Sequence, residues 1–159
     1  MRVLFFVIMA LGGASAGYAE DANELDGDIV GFETCFIQMM IDNPGNPMLE
    51  VMGPIVCGER HIPMGQTCDA LGYMLFDRRE ACKQDDLVFW QAQVETRASA
   101  AVEKGRTGVG TLYQSGLERC VEEIADEAER LDCEIEISWR TSMEFMAADL
   151  VAELVGEAE

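Results

Sequence analysis

Residues 117–154 read LERCVEEIADEAERLDCEIEISWRTSMEFMAADLVAEL. Leu117, Val121, Ile124, Ala128, Leu131, Ile135, Trp139, Met143, Met146, Leu150 and Leu154 recur at steps of three or four, and the residues between them are largely Glu, Asp and Arg. That is the signature of an amphipathic helix, or of two nearly continuous ones. The stripe is bulky, mixed and cysteine-bearing. It predicts packing inside one domain, not a free coiled coil.

The same period recurs upstream. Asp28 can cap a helix over Ile29–Ile41 with Phe32, Cys35, Phe36, Met39 and Met40 inward, and Asn43-Pro44-Gly45-Asn46-Pro47 stops it. A short helix over Met48–Val56, which Gly53-Pro54 can split, a loop over Gly58–Gly65 and a helix over Gln66–Ala81 follow. Asp85-Asp86 can open the next helix, since acidic side chains favour a helix N-terminus. Its stripe is Leu87, Trp90, Val94, Ala98 and Ala101, and it ends at the loop Gly105–Gly110. No alternating strand pattern is present. The expected fold is all-α: a small disulfide-stapled helical domain built on an antiparallel helical hairpin, with shorter N-terminal helices.

The N-terminus reads MRVLFFVIMALGGASAGYAE. Arg2, an apolar run from Val3 to Leu11 and small residues up to Ala19 make the three-part pattern of a secretory signal peptide. The run is shorter than the ~20 residues of a membrane-spanning helix. Cleavage is expected after Ala19, with Ala16 the second choice. Residues 1–19 are thus read as the signal, 20–31 as an acidic lead-in and 32–155 as one helical domain. About 140 of the 159 residues remain after cleavage, the size of one domain. The product is expected to be periplasmic or secreted, without a membrane anchor.

Six cysteines, Cys35, Cys57, Cys68, Cys82, Cys120 and Cys133, follow the signal. An even number in an oxidising compartment reads as disulfides. Fifteen connectivities are open to six cysteines. Cys120 and Cys133 would lie ~20 Å apart on an unbroken helix, beyond the ~7 Å limit for a bridge. They can pair only if the helix breaks between them. A hairpin folded about Gly105–Gly110 sets Cys82 opposite Cys133, and one folded about Asn43–Pro47 sets Cys35 opposite Cys57. Cys68 is left for Cys120.

The chain carries 11 basic and 30 acidic residues, a net charge of −19, and −20 once Arg2 is removed. Such a surface repels nucleic acid and anionic membranes and attracts cationic partners. There is no Gly-x-Ser-x-Gly, phosphate loop, dinucleotide fingerprint or Cys-x-x-Cys. The one histidine, His61, reads as a surface residue in a loop. Asp85-Asp86 and Glu122-Glu123 read as solvated helix surface, and Met39, Met40, Met143 and Met146 as core. No catalytic residue, cofactor or metal site is expected, and so no enzyme.

The segment Cys82–Val94 reads CKQDDLVFWQAQV. Its Cys82, Asp86, Trp90 and Val94 resemble the motif of the LprI-type lysozyme-inhibitor family (the DUF1311 domain), most like its alphaproteobacterial periplasmic members. Cys35, Cys57-Gly58 and Cys68 are similar in order to the extra cysteines of that subgroup. Cys120 and Cys133 resemble its last two, and Ser138 matches a Ser or Thr that follows five residues later. The resemblance implies a binder of exported lysozymes, which are commonly cationic proteins. The alternative is a general interaction protein of the cell envelope.

Overall fold

The computed structural model describes residues 25, 27–66, 76–106, 108 and 110–156. The signal reading, Cys68 and most of the expected helix 66–81 fall outside them. Five helices are described: α1 (Ile29–Asp42), α2 (Pro47–His61), α3 (Phe76–Glu103), α4 (Tyr113–Glu123) and α5 (Glu127–Gly156). No strand occurs among the described residues, so the all-α expectation holds.

α1 starts where its cap dictates. Asp28 accepts from Gly31 N through Oδ1 at 2.7 Å. Its own N–H donates to His61 O at 2.8 Å, so the end of the lead-in is pinned to the end of α2. At the other end Asn46 accepts from Met48 N, and Pro47 fills the first helical position, where no N–H is needed. The turn between them uses Gly45 at φ +75°, open to Gly at little cost. α1 and α2 form an antiparallel hairpin closed by the Cys35–Cys57 disulfide, with Cα atoms 5.8 Å apart. This pairing is the one the turn geometry predicts.

α2 does not stop at Val56. It runs through Gly53, Pro54 and Gly58, where the sequence suggests a split and then a loop. The glycines there are not breakers; they make room. A Cβ on Gly58 would sit 2.8 Å from Met143 Cγ and 2.9 Å from Trp139 Cζ2, and one on Gly53 would sit 3.0 Å from Phe36. The helix passes too close to α5 and α1 for any side chain.

α3 also exceeds its expected bounds. No glycine or proline interrupts Phe76–Glu103, so one helix spans what the sequence suggests are two, and Asp85-Asp86 lies inside it instead of opening it. It ends in a Schellman motif: Arg106 N bonds Ala101 O, Gly105 N bonds Val102 O, and Gly105 takes φ +70°.

The expected hairpin of α3 against α5 is corrected. Lys83 pairs with Asp132, and Lys104 pairs with Asp149 at 3.7 Å. Both numbers rise together, so α3 and α5 run parallel. The return is made by α4, preceded by Gly110. Along this return Gly110 faces Phe145, Gly116 faces Ile137 and Cys120 faces Cys133, an antiparallel sequence of contacts. The antiparallel hairpin is therefore α4 with α5.

The disulfides follow that topology. Cys120 bonds Cys133, with Cα atoms 5.8 Å apart, so the expected Cys82–Cys133 and Cys68–Cys120 bridges are both excluded. Cys82 is disulfide-bonded as well. The helix breaks at Ile124–Asp126, the one condition under which the observed pair can form. Asp126 caps the new start: its Oδ1 accepts from Ala128 N and Glu129 N, each at 3.0 Å.

Among the described residues α5 touches all four other helices, and α1 with α2 is the only other pair of helices that meets. Its middle is accordingly buried nearly all round: Ser138, Trp139, Thr141, Ser142, Met143, Phe145, Met146 and Ala147. The core joins Trp139, Met143, Met146 and Ala147 to Phe32, Phe36, Ile55, Leu87, Phe89 and Trp90. The two tryptophans fix the segment that leaves α2. Trp139 Nε1 donates to Ile62 O at 3.2 Å, and Trp90 Nε1 donates to Met64 O at 2.6 Å.

Candidate functional site

The motif residues come together, but inside the fold. Cys82, Asp86, Trp90 and Val94 step by four along α3 and all are buried. Trp90 packs edge-on against Phe89 and holds Met64 O. Val94 joins Ala101 and Phe145 in a second cluster. Asp86 is buried and engaged. This stripe lies inside the fold, with Trp90 and Val94 in clusters that include α5 residues.

The other residues weighed for chemistry disperse. His61 is the last residue of α2, not a loop residue, and its Nδ1 lies 3.2 Å from Asp28 Oδ2. Met143 and Met146 are core, while Met39 touches the Cys35–Cys57 bridge, its sulfur 3.4 Å from Cys57 Sγ. Asp85 is exposed on α3. Among the described residues no group of three or more His, Cys, Asp and Glu side chains could hold a metal ion. No described helix is long and apolar enough to cross a membrane.

One surface gathers charge. Residues 118–136 hold nine of the chain's 30 acidic residues against two cations, Arg119 and Arg130. They form the corner where α4 ends and α5 begins. Glu118, Glu122, Glu123, Asp126, Glu127, Glu129 and Asp132 are all exposed there. The reason is local. Cys120 must point inward to reach Cys133, which turns Glu118 and Glu122, one turn apart, outward together. Val121, next to Glu122 in the sequence and one turn after Glu118, is 58 % exposed. At the rear of the corner Lys83 of α3 neutralises Asp132. Asp126 and the first-turn Glu127 and Glu129 lie at the N-terminus of α5, where the helix dipole favours negative charge.

Behind the corner the α4–α5 seam is polar. Tyr113 donates its hydroxyl to Ser138 Oγ at 3.3 Å, and Ser138 donates to Glu134 O at 2.8 Å. Burial raises the Tyr113 pKa, and the charges of Glu95 and Glu134 add to that, against the Ser138 hydrogen bond. Farther along α5, burial raises the pKa of Glu144 against the pull of Arg140. Burial likewise lowers the pKa of Arg97 against Asp149. All three are partly buried side chains whose shifts come first from burial. The corner can bind by charge.

Sequence reasoning reads Glu122-Glu123 as plain helix surface. It misses that the break at Ile124–Asp126 folds two acidic helical ends onto each other. The signal is Asp126-x-x-Glu129, the spacing of a helix start.

No family model matches the chain, and neither a curated protein nor a solved structure matches it.

Proposed function

We propose that this protein is an exported, non-enzymatic binding module for a cationic protein, and that the α4–α5 corner is its binding surface. The observation that carries this reading is the uneven spread of charge: residues 118–136 hold nine acidic and two basic residues, seven of the acids exposed, in a frame closed by the Cys120–Cys133 bridge. A crowded patch of one sign steers an oppositely charged partner and speeds its capture. A disulfide-held frame lowers the ordering cost of binding. Exposed Val121 gives apolar contact that a purely solubilising surface lacks. The likeness of Cys82–Val94 to the lysozyme-inhibitor family nominates a lysozyme as the partner, inhibited by carboxylates laid over its cleft. The signal-like N-terminus and the disulfides support a periplasmic or secreted setting.

The test is binding and muramidase inhibition with a cationic lysozyme at low and at physiological salt. Binding that weakens with salt, and falls about tenfold in a Glu118→Gln/Glu122→Gln/Glu123→Gln variant, is the expected result. No binding at low salt rejects the lysozyme. Binding untouched by the triple substitution rejects the corner. A cationic envelope protein recovered in place of lysozyme would favour the general interaction role.

A further inference from the structure

At the opposite end of α5 the core runs out to the surface unfinished. Gly58 of α2 lies against Met143 of α5, so these two positions mark the faces by which the helices meet. Val51 is about two turns before Gly58 and Leu154 about three turns after Met143, each on that same face. Trp139 bonds Ile62 O just past the end of α2 while Gly58 meets Met143, so α2 and α5 run antiparallel and both residues lie toward the same end. Ile55 and Met146 are still buried on these stripes, and Leu150 still packs against the core. Then burial stops. Val51 is 59 % exposed, Leu154 48 %, and Met48 and Met52 beside them 64 % and 40 %. Ile41, at the end of α1, is exposed next to the same tip.

We propose that this open mouth between the tip of the α1–α2 hairpin and the tail of α5 is a docking site for a basic amphipathic helix of another protein. An apolar helix face laid in a groove between two helices buries such side chains, and methionine adapts its shape to the occupant. Charge sets the sign of the partner. Asp42 and Glu153 are exposed at the rim. The one Lys or Arg of the α1–α2 hairpin, Arg60, sits at the far end of α2. Lys104 and Arg106 are engaged by Asp149. A net charge of −19 on each copy opposes a second copy of this chain as the occupant. The site is separate from the acidic corner and does not depend on it.

The probe is a synthetic peptide of about 18 residues, built from leucine and lysine at helical spacing, against a scrambled peptide of the same composition. Binding to the full chain is read by fluorescence anisotropy at ~0.15 M salt. The amphipathic peptide should bind at least about tenfold tighter than the scrambled one. A Val51→Ser/Leu154→Ser variant should lose that preference while keeping its melting temperature, since both side chains are exposed. A Glu122→Gln/Glu123→Gln variant should keep the preference. The proposal is overturned if the two peptides bind alike or not at all, or if the Val51/Leu154 variant keeps the preference. It is also overturned if sedimentation shows a dimer that this variant dissociates, for then a second copy fills the mouth.

Discussion

The two ends of α5 are built from the same kind of helix and finished in opposite ways. At its start, α4 folds back on it and is bonded to it through Cys120–Cys133; the outside is nearly all carboxylate. At its end, the α1–α2 hairpin tip lies beside it, and exposed Met48, Val51, Met52 and Leu154 face out between the rim carboxylates Asp42 and Glu153. Each end has what its surface needs. Crowded like charges repel, so the acidic end has a covalent staple and a capped helix start. Apolar side chains attract, and at the other end the surface is left for something else to cover. The middle, ringed by Trp139, Met143 and Phe145, holds the two ends in one body.

The largest test acts on that middle. Trp139→Ala should destabilise the fold by roughly 3–5 kcal/mol, through the cavity and the lost bond to Ile62 O. Denaturant unfolding checks it; a loss confined to one end in hydrogen exchange would show that the ends fold separately. Next is the staple. Cys120→Ala/Cys133→Ala should cost about 3 kcal/mol, the chain-entropy figure for a loop this short. Amides of α4 should then exchange faster, while those of α1 and α2 keep their protection. Raised salt should restore part of the protection if carboxylate repulsion is what the bridge resists. Below that stands Gly58→Ala, expected to cost ~1–3 kcal/mol by overpacking α2 against Trp139 and Met143. A neutral result would mean that the helices can part at this point.

The smallest effect belongs to Glu144. Burial raises its pKa in the folded chain, so the folded state holds the proton more tightly than the unfolded one. Stability from this group is therefore present below the unfolded carboxyl range and falls as pH rises through the folded pKa. Glu144→Gln should flatten that part of the pH–stability curve and stabilise slightly at neutral pH. An unchanged curve would mean that Arg140 fully offsets the burial.

Most of the helices were legible, because their buried faces repeat at the helical period: Phe32 and Phe36 on α1, Trp90 and Val94 on α3, Ile135 and Trp139 on α5. Their order in space was not. The stripe Val121, Ile124, Ala128 keeps its three-and-four step straight through the break, so periodicity alone reads one helix where there are two. Only the Asp126 cap marks the restart. The loop after α3 suggested a tight hairpin, but Gly110 and α4 carry the chain back along α5, and α3 and α5 end up parallel. That error moved the predicted partner of Cys133 from Cys120 to Cys82. The mistake was one of direction: Lys83 and Asp132, the neighbours of Cys82 and Cys133, do meet. Gly53 and Gly58 misled for another reason. A glycine that admits a neighbouring helix looks, in one dimension, the same as a glycine that ends its own. The acidic corner was visible as composition but not as a site, since it exists only once α4 folds back.

The two indoles that hold Ile62 and Met64 make the molecule its own optical gauge. They are its only tryptophans, both fully buried and both hydrogen-bonded to one short stretch of backbone. Their emission should be blue-shifted and should report that stretch alone. A ligand at either tip would leave the spectrum still, while a red shift would signal that α2 has come away from the central helix.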